Sequence, residues 1–558
     1  MEKRKIVAVV DSAVGFFALA VYLSMHTMLG FIGYFTFSAM PYLLGALLLV
    51  SSVVALVNLF TKNNFAVLIA TFVWNGLMFL FSLGYFFFML THFKGFLIEM
   101  TKIFFVYLFA AAVVYLCFFH GKEKEGRGKR IVSIVLCSAL LFVAVLGFTD
   151  FNVLRINYIT DEAAVYAVGD NYEIVFATRV AGSGWVEIDG KNYYDEYAGQ
   201  KRTSDRAHKI VVPQNVLDAA KKYTVRSRAM LSEQGFSGLL GYEVSRSYDF
   251  RPVDETDGIR FYAVSDSHDY NGAAAKAAQY YGNTTDFVVL CGDAINYLYT
   301  EENLSTVLSL AHVCTGGNVP CVFARGNHEL KASGSERLHR FVGSDGEKFY
   351  YTFRLKNVWG VVLDMGEDHA DDWKEFYGTA LYEDYRKEQV AFLDGIVANK
   401  EKEYAAPGVD YRVGVCHVPT SFVEYDKDYL FDVLVEMNER LNEIGLDVML
   451  SGHLHEIFLV EKGYEAGRPL YYTARYGKKS SSPAYLATGA TYPTLLVSRR
   501  SDGQTVAVKE SVLGQKFVGT AIEFFEGEKT AKFTNAKKED VFSVSPFGET
   551  DYGRVMIL

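Results

Sequence analysis

Phe287-Val288-Val289-Leu290-Cys291-Gly292-Asp293-Ala294-Ile295-Asn296 runs from an apolar, β-branched segment into a glycine, a carboxylate and a carboxamide. Four other stretches repeat that pattern. Ile259 to Val264 leads into Asp266-Ser267-His268, and Val319 to Phe323 leads toward Gly326-Asn327-His328-Glu329. Tyr411 to Val415 precedes Cys416-His417-Val418-Pro419, and Val448-Met449-Leu450 precedes Gly452-His453-Leu454-His455. Short apolar runs of this kind, separated by helical patterns at 272–281, 384–400 and 427–444, predict strands of a sheet buried on both faces. Each polar group then falls just past the carboxyl end of a strand, the edge where the loops of an open α/β sheet converge on one crevice.

The donors brought there are carboxylate, carboxamide oxygen and imidazole nitrogen, with no thiolate. Such a set suits hard and borderline ions such as Mn, Fe or Zn, whereas a soft metal would want Cys or Met. Five of the 12 histidines lie in these motifs, and the donors suffice for two ions side by side with one carboxylate bridging. Two metals roughly 3.5–4 Å apart lower the pKa of a shared water and clamp the attacking and leaving oxygens of an in-line displacement. Phosphate ester hydrolysis fits best, because its very slow uncatalysed rate demands the charge stabilisation that paired dications supply.

The ordered set D-x-H, GD, GNH-[DE], H and GH-x-H resembles that of the calcineurin-like metallophosphoesterase family, over about residues 259 to 500. The resemblance implies an α/β four-layer domain, a β-sheet sandwich flanked by helices, that binds two divalent or trivalent metal ions. Carried over residue by residue, it implies that Asp266, His268 and His455 hold the first metal, that Asp293 bridges, and that Asn327, His417 and His453 hold the second. It further implies His328 as the general acid and a metal-bridging hydroxide as the nucleophile.

Residues 151–252 alternate in strand-like fashion, as in Tyr172 to Phe176, Gly184 to Ile188 and His208 to Val212. They resemble the fibronectin-III-like β-sandwich that precedes the catalytic domain of purple-acid-phosphatase-like enzymes, and His417-Val418-Pro419 is similar to the same branch. Two departures stand out. Asn296 occupies the position of that branch's metal-binding Tyr, and His268 replaces its Gly, so a non-purple ligand set is expected. Tyr297 is one residue out of register.

Around the motifs, Arg325 is a candidate for binding a phosphoryl oxygen through its guanidinium fork, with pairing to a nearby carboxylate as the alternative. Glu329 is expected to orient its loop or His328 and not to act as a ligand. Asp364 ends an apolar run and is either an outer partner of the site or a loop cap; His339 and His369 read as loop histidines.

The first 150 residues differ in kind. Apolar runs at about 13–33, 42–60, 66–90, 103–119 and 131–149 approach the ~17–25 residues of a bilayer-spanning helix, so a transmembrane domain of five helices is expected over 1–150. Lys3, Arg4 and Lys5, then Lys62, then the cluster from Lys122 to Arg130 share one side. By the positive-inside rule the amino terminus is cytoplasmic, and an odd number of spans puts the catalytic domain of a multi-pass cell-membrane protein outside. Asp11, Glu99 and Lys102 sit near span ends, where interfacial placement is expected.

The 558 residues therefore divide into a membrane domain at 1–150, a β-sandwich at 151–252, a catalytic domain at 253–504 and a β-rich extension at 505–558 packed on it. The first 150 residues hold 11 Lys and Arg against 6 Asp and Glu, leaving 44 against 59 for the rest. So acidic a remainder argues against duplex nucleic acid as a partner. The expected partners are the lipid bilayer and a phosphorylated small molecule or lipid, with monoester and diester both open and the oligomeric state unspecified. The alternative reading is a membrane sensor or transport-associated protein that binds phosphorylated ligands without turnover. Cys314 and Cys321 flank Gly316-Gly317, and whether they join as a disulfide stays open on spacing alone.

Overall fold

The computed structural model describes residues 8–19, 40–58, 67, 69–80, 159–230, 240–269, 271–455, 457–461, 465–471, 473–474, 485–500, 517–544 and 555–557. The chain divides into two compact units, Met1–Leu154 and Arg155–Leu558.

In the first unit the described residues are helical at 8–19, Met40–Asn58 and 69–80. Among the described residues no helix is long and apolar enough to cross a membrane. That finding overturns the expected five-span domain, and with it the multi-pass placement that set the catalytic domain outside the cytoplasm. The runs at 103–119 and 131–149, with Glu99 and Lys102, lie outside the described residues. A hydrocarbon core of about 30 Å takes roughly 20 helical residues at about 1.5 Å each. Here Ala18, Leu48 and Met78 are buried against one another, and Asp11 is enclosed with them, only 1% exposed instead of interfacial. Its carboxylate accepts hydrogen bonds from Thr71 Oγ1 at 2.6 Å and Asn75 Nδ2 at 2.8 Å, satisfying a buried acid that would otherwise be costly.

The second unit is built on two sheets. In one, the strands Ile259–Val264, Phe287–Cys291 and Pro320–Ala324 run parallel, with Val289 opposite both Ala263 and Val322. In the other, Val358–Leu363, Tyr411–Cys416 and Val448–Ser451 run parallel, with Val415 between Val362 and Leu450. Every residue of Phe287–Cys291 and of Val358–Leu363 is buried, as strands covered on both faces require. Between the sheets Phe261, Val289 and Val322 share one core with Val362, Val413 and Leu450. The outer face of the first sheet is covered by the helices Asn271–Ala278 and Glu301–Thr315 through Ala274, Leu304 and Leu308. Tyr382–Ala398 and Phe431–Ile444 cover the second through Leu393, Leu434 and Leu441. Each such aliphatic side chain contributes about 1.5–3 kcal/mol on burial, so the layers hold the parallel strand ends rigidly side by side.

The strands before residue 250 do not form the separate fibronectin-III-like sandwich expected there. Ile159–Val168 pairs parallel with Pro320–Ala324, Val165 opposite Pro320. Asn171–Ile188, Lys222–Met230 and Leu240–Asp249 then continue the same sheet antiparallel. Alternation specifies which side chains face inward, but a strand's partner depends on which edge it meets. At the opposite end Phe517–Phe525 pairs antiparallel with Ile259–Val264, and Glu528–Asn535 follows it. Cys291, Cys314, Cys321 and Cys416 are all buried and free.

Candidate metal centre

The strand order brings the five motifs to one edge. Asp266 and His268 follow Ile259–Val264, Asp293 follows Phe287–Cys291, and Asn327 and His328 follow Pro320–Ala324. From the second sheet come His417, after Tyr411–Cys416, and His453 and His455, after Val448–Ser451. The turns there are tight: Asp266, His268, Asp293, His453 and His455 all have positive φ. Non-glycine residues carry a cost of order 1–3 kcal/mol in such conformations, which cluster where a site is built. A Cβ on Gly326 would lie 2.2 Å from Asp293 Oδ1, so only glycine lets the Asn327 loop come this close. Glu329, fully buried, accepts from the backbone N–H groups of Asp293 at 2.8 Å, Ala294 at 2.7 Å and Gly326 at 2.9 Å. Burial beside Asp293 pushes its carboxyl up to about 7. Its task is to lock two ligand-bearing loops together.

Donor atoms of Asp266, His268, Asp293 and His455 all lie within 4.8 Å of one another. His417 Nε2 is 3.2 Å from Asp293 Oδ2 and 4.0 Å from Asp266 Oδ1, and His453 Nδ1 is 3.3 Å from Asn327 Oδ1. The outer contacts of these groups decide their tautomers. His268 Nδ1 donates to Asn296 Oδ1 at 3.2 Å, so its Nε2 lone pair faces His455 Nε2 at 2.9 Å. His417 Nδ1 donates to the carbonyl of Cys291 at 2.7 Å, leaving Nε2 buried without a hydrogen-bond partner. His453 Nε2 donates to Asp368 Oδ2 at 2.7 Å, and Asn327 Nδ2 donates to Glu367 at 3.0 and 3.1 Å. In the neutral ring this makes His453 Nδ1 and Asn327 Oδ1 two acceptors that face each other at 3.3 Å. Lone pairs turned on a common point in this way are what a cation requires, and the oxygen and imidazole donors fit a divalent metal.

The electrostatics agree. Burial works against a charge on His417, but Asp293 and Asp266 outweigh it and raise the imidazole to about 10. Buried Asp293 is held well below the usual carboxylate range by His417, His328 and His268. Burial lowers His268 to about 4 despite the same carboxylates. The carboxylates demand positive charge at their centre, which a metal supplies better than a proton.

His328 donates its backbone N–H to Asp293 Oδ1 at 2.9 Å and its Nδ1–H to the carbonyl of Asn296 at 2.9 Å. Nε2 is left to accept from Lys331 Nζ at 3.1 Å, and the ring stands edge-on to His268 at 4.4 Å. Burial lowers its pKa, with Asp293 opposing.

Other expectations change. The Arg325 guanidinium is held by Asp364 Oδ2 at 2.6 Å and lies over the Phe349 ring at 4.4 Å, the carboxylate pairing expected as the alternative to phosphoryl binding. Asp364 is that partner. His339 bonds the Glu336 carbonyl of its own turn, and His369 stacks on Trp373 at 4.4 Å. Sequence reasoning missed Glu367 and Asp368, although they follow the apolar run ending at Leu363 by the same strand-end rule as the motifs. Arg386, 1% exposed, pins their loop by donating to the carbonyls of Met365 and Glu367.

Residues 259–456 match the family model of the calcineurin-like phosphoesterases. Among solved structures, a purple acid phosphatase, PPD1, from yellow lupin (Lupinus luteus) seeds is 12% identical, covering 71% of this chain and 74% of that one at a TM-score of 0.39. PhoD is also 12% identical, covering 71% of this chain and 93% of that one at a TM-score of 0.36. A predicted phosphoesterase from Streptococcus pneumoniae TIGR4 is 11% identical, covering 51% and 97% at 0.24. These three likenesses are distant, and none of the curated proteins matched the chain. Residues 259–456 thus form a calcineurin-like phosphoesterase domain, and the protein is a metal-dependent phosphoesterase.

Proposed function

We propose that residues 253–504 hydrolyse phosphate esters at a pair of ions, Mn, Fe or Zn, with the ligands divided as the motif order suggests. Asp266, His268 and His455 would hold one ion, Asn327, His417 and His453 the other, and Asp293 both. When bound, such ions would acidify a water and neutralise the charge that gathers on the phosphoryl oxygens. Asp266 and Asp293 anchor the assembly, while Asp368 and Glu367 keep His453 Nδ1 and Asn327 Oδ1 turned inward. As the water oxygen, its own proton released to solvent, bonds to phosphorus and the ester P–O bond breaks, His328 Nε2 would pass to the leaving oxygen a proton taken up from its Lys331 neighbour, and the alcohol departs. Lys331 Nζ, at 3.1 Å, is the neighbouring proton donor to that nitrogen.

The observation that carries this reading is the convergence of metal-binding atoms, His268 Nε2 on His455 Nε2 at 2.9 Å and His453 Nδ1 on Asn327 Oδ1 at 3.3 Å. The substrate is a phosphorylated small molecule or lipid. With 44 basic against 59 acidic residues after position 150, the chain is poorly suited to duplex nucleic acid. The test is metal content together with hydrolysis of p-nitrophenyl phosphate and its bis ester. Two ions per chain and turnover of at least one ester are expected, with Asp293→Asn lowering kcat about 10²–10³-fold. A folded Asp293→Asn protein with full activity refutes the reading.

A further inference from the structure

Between Asp293 and the helix Glu301–Thr315 the chain presents two tyrosines to solvent, Tyr297 at 46% and Tyr299 at 66% exposure. They are not on a loose loop. Leu298 between them is fully buried, with its N–H donating to the Lys331 carbonyl at 2.9 Å and its carbonyl accepting from Gly334 at 3.0 Å. The Tyr299 N–H donates to Asn303 Oδ1 at 3.1 Å, inside the capping box that starts the helix. With Leu298 turned in, its neighbours turn out together, and the two rings stack at 5.2 Å and 24°. The pair adjoins the reaction centre, since the Tyr297 ring lies 6.3 Å from the His328 ring, and the Asn296 carbonyl next to it accepts from His328 Nδ1.

Resting on the hydrolase reading above, we propose that Tyr297 and Tyr299 form a stacking platform for the leaving group, and that the preferred substrates are phosphate esters of alcohols carrying a planar aromatic ring, aryl or nucleobase. The argument is positional. A leaving oxygen that takes a proton from His328 must lie beside that imidazole, so the group attached to it extends past His328 toward whatever stands next to it. That neighbour is the exposed face of a fixed tyrosine. Planar rings gain from offset stacking on such a face, whereas a saturated ring of equal size gains only from contact area. Stacking on one aromatic side chain is worth roughly tenfold in affinity.

The test uses full-length, Mn-loaded protein and ligands that cannot turn over, so it does not depend on catalysis. Phenylphosphonate and cyclohexylphosphonate are compared by calorimetry in the parent chain and in Tyr297→Leu/Tyr299→Leu. The platform predicts that the parent binds the phenyl compound about tenfold more tightly and that the double variant closes the gap. Equal affinities in the parent, or a gap that survives in the double variant, overturn it. The non-hydrolysable methylenephosphonate analogues of adenosine monophosphate and ribose 5-phosphate, set against each other in the same titration, distinguish a nucleobase from a simple aryl ring as the better occupant. Turnover of benzyl phosphate, measured separately, bears on the hydrolase reading alone.

Discussion

Asp368→Ala should weaken one of the two proposed metal positions by one to two orders of magnitude and leave the other nearly unchanged. Asp368, 4% exposed, accepts from His453 Nε2 at 2.7 Å and also pairs with Lys427. Burial opposes the charge, yet the His453 and Lys427 hydrogen bonds hold its carboxyl well below the usual range. A hydrogen bond to a charged group contributes about 1.5–3 kcal/mol, roughly 10- to 150-fold in a binding constant. Loss of an outer partner from a metal-binding histidine costs about 10–100-fold, so the two routes meet. Glu367 would still orient Asn327, and the ligands at Asp266, His268 and His455 do not touch Asp368, so the weakening should stay local. The assay is calorimetric titration of metal-stripped protein with Zn or Mn, fitted to two sites, with circular dichroism to verify the fold. Lys427→Met is the control, because it removes the competing cation, keeps the His453 contact and should not reduce affinity. Folded Asp368→Ala protein binding both ions within about twofold of the parent would refute the reasoning.

Other perturbations give distinct outcomes. His328→Ala should lower kcat about 10²–10⁴-fold on alkyl phosphates and much less on p-nitrophenyl phosphate, whose leaving oxygen needs no proton; equal losses on both would remove the general-acid role. Gly326→Ala places a Cβ 2.2 Å from Asp293 Oδ1 and 2.4 Å from its amide nitrogen, so metal stoichiometry by elemental analysis should fall even where the fold survives. His208, fully buried among Asp195, Thr178 and Ser227, has its pKa lowered by burial to about 4. The unfolded chain binds this proton near pH 6.5 and the folded chain only near 4, so the stability is present above about pH 6.5 and is lost as pH falls toward 4. The loss is at most about 3 kcal/mol. Urea unfolding at pH 7 and pH 5 should show this difference shrinking in His208→Phe, and an unchanged difference counts against it.

How much could be read in advance differs from feature to feature. The apolar runs at 287–291 and 358–363 are strands because unbroken β-branched segments of that length bury on both faces, and the polar residue ending each run lies at the crevice for the same reason. The placement of Asp266, His268, Asp293, Asn327, His417, His453 and His455 at that edge was legible on that ground. Glu367 and Asp368 obey the same rule but lie outside any motif, so only the bonds to Asn327 and His453 single them out. Arg325 carries a side chain fit for phosphate or carboxylate, and no spacing announces its ion pair with Asp364 across 39 positions. Over the first 150 residues the expected spans were read from hydropathy alone, whereas among the described residues no helix is long and apolar enough to cross a membrane.

By itself the sequence determined the donor chemistry of the centre and the strand ends that carry it, since side-chain type and hydrophobic period are local properties. Only the tertiary structure decided which nitrogen of each histidine faces inward, which carboxylates stand behind them, and that the strands before residue 250 extend the catalytic sheet. Those outcomes depend on partners far away in the chain, and a hydrogen bond or a sheet edge takes its meaning from the group across from it.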